Sequence, residues 1–301
     1  MEETKPKGGQ TDQEVKARLE SLMAARGWSQ RKAAEQVGVS QAAMSRWFAN
    51  RYESPDAMNS RVAGWLEQRR QAWEGLIPSE GYQVIQEVCS ACQEKRRFGV
   101  VIGPPGNGKT EGLKAYERDH DDVLLILCDS SMTPKVLLEE ICGETGGTTA
   151  ELMRHARARS EGRLILIDEA DTLPVRSLET LRRVYDFGRC GMIFAGEPRL
   201  EHLLRRSPGT KDNLARMYSR VDYFVGVTEP AAADVHTYLD AHGVTDPAAR
   251  KLIAQVGGKA SFRAADRLTQ RSKELAALNG QQVTEAVVRL ASKRVILPVR
   301  L

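Results

Sequence analysis

The stretch Gly103-Pro104-Pro105-Gly106-Asn107-Gly108-Lys109-Thr110 constrains this 301-residue chain more than any other. It fits the pattern G-x-x-x-x-G-K-[ST], follows the apolar run Phe98 to Ile102, and opens a helical stretch near 109–118. Glycines at such a turn let the backbone take positive φ and approach an anion closely. Successive N–H groups and the helix N-terminus then offer fixed positive charge to phosphate. The loop is therefore predicted to cradle phosphates, with Lys109 reaching the β- and γ-phosphates and Thr110 ligating Mg2+. Predicted nucleotide contacts run from Gly103 through Thr110 to Glu111.

Around this loop, short apolar runs alternate with helical stretches. The runs are 98–102, 123–128, 164–167, 192–195 and 223–227; helices are predicted near 83–95, 133–143, 149–159, 174–186 and 212–218. That alternation predicts an α/β fold with a parallel sheet covered on both faces. The run Leu164-Ile165-Leu166-Ile167 ends in Asp168 and Glu169. Open α/β sheets bind ligands at the carboxyl ends of their strands. Asp168 is predicted to hold Mg2+ through water, and Glu169 to act as general base on the attacking water. After Pro230 the strands stop and three or four helices follow, the last around 283–294.

The first 75 residues read as all-α. Residues 1–10 are polar. Val15, Leu19, Leu22 and Met23 make one helical stripe that Gly27 closes. Ser29 and Ser40 are predicted N-caps of two short helices broken at Gly38, and Ser54-Pro55 opens a fourth helix through Val62, Trp65 and Leu66. Residues 28–47 look like a helix-turn-helix of the phage-repressor type, with Ala34, Gly38, Val39 and Trp47 at packing positions. Gln41, Ala42, Ser45 and Arg46 would face outward, and Gln41, Ser45 and Arg46 are the candidate DNA contacts. Turn residues between Gly75 and Gly81 mark a boundary, giving domains at 1–75, 76–228 and 229–301.

Net charge is +4, unevenly spread. Residues 259–301 carry nine Lys/Arg and three acids, so they hold +6 against −2 for the rest. Such a tail suits a polyanion, and Arg289, Lys293 and Arg294 are its predicted phosphate contacts on one face of the last helix. Residues 1–75 carry only +2, which argues against tight DNA binding by a single copy. The longest aliphatic run, Val123 to Leu127, is too short to span a bilayer, and the opening residues predict no secretory leader. Five cysteines suit a reducing compartment: the cytoplasm, or the host's cytoplasm for a phage protein. Cys89 and Cys92 share a helical face with Tyr82, Ile85 and Val88, and no second Cys or His pair follows at zinc spacing, so they read as core.

The phosphate loop, Asp168-Glu169 and a helical C-terminal region resemble the AAA+ ATPases over roughly residues 76–270. The resemblance implies a five-stranded sheet, a helical lid, and ring or filament assembly with an arginine reaching a neighbour's γ-phosphate. Ser219-Arg220 resembles the finger motif of clamp loaders, with Arg216 as the alternative. Gly258-Lys-Ala-Ser-Phe-Arg263 resembles the lid motif whose arginine senses nucleotide, and Arg267 competes for that role. Where relatives carry a polar first sensor, this chain reads Phe194-Ala-Gly196-Glu197. A carboxylate there is electrostatically unhelpful, so slow hydrolysis in isolation is expected.

Helix-turn-helix, AAA+ core and basic helical tail together resemble the phage Mu B transposition protein family over nearly the whole chain. That resemblance implies ATP-dependent, largely non-sequence-specific assembly on double-stranded DNA, as a helical filament or ring, and activation of a partner transposase. A helicase loader of the AAA+ class and a nucleotide-responsive transcription regulator are the alternative readings.

Overall fold

The computed structural model describes residues 12–26, 28–74, 77–205 and 214–295. The predicted helix-closing Gly27, the polar start, residues 212–213 of a predicted helix, and Arg300 lie outside the described residues. The chain divides between Leu76 and Ile77 into two compact units, with Arg118–Asp121 grouping with the first.

The first unit holds α1 (Asp12–Arg26), α2 (Gln30–Val37), α3 (Gln41–Phe48) and α4 (Pro55–Glu74). Both predicted serine caps are in place. Ser29 Oγ accepts the Lys32 N–H at 3.2 Å, and Ser40 Oγ accepts the Ala43 N–H at 3.1 Å. These caps satisfy backbone donors that a helix start leaves free. Between the two helices Gly38 takes φ +72°, the left-handed conformation the turn needs. Val15, Leu19, Ala33, Ala34, Met44, Trp47, Met58 and Val62 form the core. The buried Trp47 indole N–H donates to Asn59 Oδ1 at 2.7 Å, so its polar atom is satisfied within that core.

The second unit runs α5 (Glu80–Lys95), β1 (Phe98–Ile102), α6 (Lys109–Asp119), β2 (Val123–Leu127), α7 (Pro134–Cys142), α8 (Thr149–Ser160), β3 (Leu164–Asp168), α9 (Val175–Gly188) and β4 (Gly191–Gly196). It continues through α10 (Arg199–Leu204), α11 (Ala215–Tyr218), β5 (Val221–Gly226), α12 (Ala232–Ala241), α13 (Pro247–Lys259), α14 (Phe262–Leu278) and α15 (Glu285–Ser292). The five strands form one parallel sheet in the order β2-β3-β4-β1-β5. This is the α/β core, with the sheet buried on both faces. Ile165 and Ile167 of β3 join Met192 and Phe194 of β4 on one side. Leu164 and Leu166 join Ile193 and Ala195 on the other. Burial on two faces is why these strands read as unbroken apolar runs.

Cys89 and Cys92 pack from α5 onto that second face. A Cβ on Gly191 would overlap the Cys92 carbonyl, so the glycine permits this close seating. Burial pushes the Cys92 thiol up to about 12. Both cysteines are fully buried core residues.

Four helices, α12 to α15, bury a separate apolar cluster built from Val235, Leu239, Ile253, Leu268 and Val288. The elements differ from the sequence reading at several points. Strand β5 begins at Val221, and α10 was not anticipated. Helix α15 stops at Ser292, because the Arg294 N–H bonds the Ala291 carbonyl three residues back, a tightened final turn. Lys293 is therefore the cap residue and Arg294 lies in the turn beyond it, not on the helix.

Candidate nucleotide site

The sheet delivers the phosphate loop and the acidic pair to the same edge. Gly103 follows β1, and its N–H donates to the Gly196 carbonyl at the end of β4. A Cβ on Gly103 would overlap the Val227 carbonyl beyond β5, which fixes glycine where the loop leaves the sheet. Gly106 and Gly108 take φ +85° and +86°, and nothing lies within 4 Å of a Cβ built on Gly108. Positive φ at both glycines is the conformation that turns peptide N–H groups into an anion-binding nest. Pro105 is exposed, and Glu111 is exposed in the first turn of α6, where it pairs with Lys114 at 2.9 Å.

Lys109 is the first residue of α6 and is buried. Its ammonium donates to the Gly103 carbonyl at 2.7 Å and the Pro104 carbonyl at 3.0 Å. Burial lowers its pKa, while Glu169, Asp168, Glu197 and Asp171 pull the other way. Next in the helix, the Thr110 hydroxyl donates to Asp168 Oδ2 at 2.6 Å. Loop and third strand thus place two hard oxygen donors side by side. Mg2+ is commonly held by one or two such protein oxygens together with substrate phosphates, and the pair fits that role.

Glu169 lies directly past the strand at φ +54°, unusual for a residue with a side chain. Its N–H donates to Asp168 Oδ1 at 3.0 Å, and its carbonyl accepts the Thr172 hydroxyl at 2.7 Å. Those bonds hold the turn that follows the strand. Burial raises the Glu169 pKa, reinforced by Asp168 and Asp171 and opposed by Lys109.

Asp171 was missed in the sequence, although it is the third acid of Asp168-Glu-Ala-Asp171. It is buried, accepts the Glu197 N–H at 3.1 Å, and pairs with the Arg199 guanidinium. A Cβ on Gly196 would overlap its Oδ1. Asp171 therefore ties the turn after β3 to the end of β4, the position where the first sensor is expected. Glu197 sits there half-buried, with Arg199 two residues on.

The arginines separate. Arg220 is engaged within its own subunit: its guanidinium pairs with Asp186 of α9 and donates to the Arg216 carbonyl. Arg216 is exposed and, among the described residues, makes no ion pair. Arg263 brings its backbone to the loop, donating its N–H to the Gly106 carbonyl at 3.0 Å, and its side chain is exposed. Arg267, one turn later, is also exposed. Gln41, Ser45 and Arg46 are exposed on α3 in the first unit. In the second unit Arg289, Lys293 and Arg294 are exposed, and Arg289 pairs with Glu285 at 2.9 Å.

A parallel five-stranded sheet carrying a phosphate loop on β1 and an acidic pair on β3 defines an AAA-type α/β core, and residues 92–204 match the family model for the AAA domain. The chain is 27% identical to the ATP-dependent target DNA activator B of Escherichia phage Mu, over 95% of this chain and 96% of that protein. Identity and coverage are the same for the activator B of Escherichia phage D108. The Mu-like prophage FluMu DNA transposition protein B of Haemophilus influenzae is 26% identical over 76% of this chain and 87% of its own length. The chain is thus similar, over most of its length, to phage Mu B transposition proteins.

Proposed function

We propose that the protein is an ATPase of DNA transposition, which assembles on double-stranded DNA in an ATP-dependent way and activates a transposase for target capture and strand transfer. The observation that carries the ATPase reading is the Thr110–Asp168 contact beside the buried Lys109, at the mouth of a loop with two positive-φ glycines. The printed names of the relatives, an ATP-dependent target DNA activator and a transposition protein, support the rest.

In this reading Lys109 leaves the Gly103 and Pro104 carbonyls to bond the β- and γ-phosphate oxygens. Thr110 and, through water, Asp168 hold Mg2+, which when bound neutralises phosphate charge during cleavage. Glu169 takes the proton of the attacking water. An arginine of a neighbouring copy, Arg220 or in its place Arg216, stabilises the charge that develops on the γ-phosphate. Arg263 reads the same phosphate from the lid. Gln41, Ser45 and Arg46 on one unit, and Arg289, Lys293 and Arg294 on the other, contact the DNA backbone. Among the described residues no helix is long and apolar enough to cross a membrane.

Substituting Lys109→Ala tests this. Hydrogen bonds to charged groups contribute about 1.5–3 kcal/mol, so ATP affinity should fall roughly 10- to 100-fold, and ATP-dependent DNA binding with it. A footprint on DNA with and without ATP reads both. Unchanged DNA coating by this variant in ATP would sink the proposal. A short footprint on one defined sequence, formed regardless of ATP, would favour a transcription regulator instead.

A further inference from the structure

The lid helix α14 is capped by the phosphate loop. The Arg263 N–H donates to the Gly106 carbonyl at 3.0 Å, and the Phe262 N–H to Asn107 Oδ1 at 3.4 Å. Ser261 Oγ takes the next donor, the Ala264 N–H, at 3.2 Å. Backbone donors in a first helical turn have no partner within the helix, so here the loop supplies two of them. The approach is close: a Cβ on Gly106 would lie 2.9 Å from Arg263 Cβ and 3.1 Å from Ser261 Oγ. Asn107 is 8% exposed, and its Nδ2 is buried with no hydrogen-bond partner. One end of this side chain holds the lid while the other is uncommitted.

We propose that Asn107 is a positioning residue that couples occupancy of the phosphate loop to the orientation of the lid. This rests on the nucleotide reading above. The Gly106 carbonyl and the Asn107 N–H are two ends of one peptide group. In a planar trans peptide they point in opposite directions. With the carbonyl on α14, the N–H points away from that helix. An anion that reorients this N–H must also turn the carbonyl that the Arg263 N–H follows. The Asn107 side chain grips the neighbouring Phe262 N–H, so plane and side chain move the helix start as one piece. Because α14 packs in one apolar cluster with α12, α13 and α15, the tail basic residues move with it.

Hydrogen exchange of the full chain, followed by mass spectrometry over residues 260–268, tests the coupling with and without Mg2+ and a non-hydrolysable ATP analogue. Wild-type protein should show analogue-dependent exchange at the start of α14. Without nucleotide, Asn107→Ala should exchange there about 3- to 10-fold faster, the scale of a lost helix cap. At saturating analogue its lid should no longer respond. Asn107→Asp keeps an acceptor oxygen for the Phe262 N–H but replaces the uncommitted amide with a negative charge, so its nucleotide-free exchange should stay closer to wild type than that of the alanine variant. Should the alanine variant not fold, Asn107→Ser, whose short side chain cannot reach Phe262, replaces it. Wild-type exchange and response in the alanine or serine variant would overturn the coupling. A wild type that binds no analogue would overturn the nucleotide reading and the coupling together, a result distinct from normal binding with an uncoupled lid.

Discussion

Glu169 and Asp171 show how single positions set the chemistry. Glu169 is held in a left-handed turn by two hydrogen bonds, and burial with two neighbouring acids raises its pKa. A base works only when deprotonated, so hydrolysis should fall on acidification at a pH above the ordinary glutamate value of 4.5. Substituting Glu169→Gln should leave ATP bound, slow hydrolysis about 100- to 10,000-fold, and prolong assemblies on DNA. Steady-state rates against pH, with a separate binding titration, check both effects; loss of nucleotide binding would make Glu169 structural. Gly196 carries a packing constraint instead. Gly196→Ala would push its Cβ into the buried Asp171 carboxylate, costing about 1–3 kcal/mol of stability. A thermal melt should show the loss as a drop of several degrees, on the order of 2–8 °C.

At the scale of elements, α9, α11 and β5 meet at Arg220. Its guanidinium joins the start of β5 to Asp186, which also binds Arg182 at 2.6 Å. Removing it costs a part-buried, charge-assisted pair, so Arg220→Ala should lower stability by about 1–2 kcal/mol. Arg216→Ala removes an exposed cation and should leave the melt unchanged within about 0.5 kcal/mol. If either is the finger, its variant loses DNA-stimulated hydrolysis while keeping ATP affinity. Mixing that variant with Glu169→Gln protein should then restore part of the activity, since sites pairing an intact Glu169 with a neighbour's intact arginine re-form. Absence of rescue for both arginines, with co-assembly verified, would argue against a finger acting across subunits.

For the whole molecule, two sets of exposed residues are the proposed DNA contacts. Gln41, Ser45 and Arg46 lie on a unit whose first 75 residues carry +2, and Arg289, Lys293 and Arg294 on a tail carrying +6. Affinity that comes from phosphate contacts falls with salt at a log–log slope of about −0.9 per contact. Neutralising Arg289, Lys293 and Arg294 together should therefore flatten the slope by up to roughly three units. The exposed Arg289–Glu285 pair is worth little and does not remove Arg289 from contention. An unchanged slope in that variant, with binding lost on Arg46→Ala, would move the main interface to α3.

Local and repetitive features could be read from the residues alone. Five apolar runs, a glycine-rich turn before Lys109 and two serine caps each encode their structure within a few residues, so strands, phosphate loop and the α2–α3 turn were legible without coordinates. Relations between distant residues were not. Asp171 reaching Glu197, Arg220 spent on Asp186, and Asn107 holding Phe262 join positions tens to more than a hundred residues apart. No periodicity encodes such pairs, because side-chain spacing reports only which face is buried, while partners across elements follow from strand order and helix seating. The same limit explains Lys293 and Arg294: charge pattern placed them on a helix, but the hydrogen bonds of its last turn decided where that helix ends.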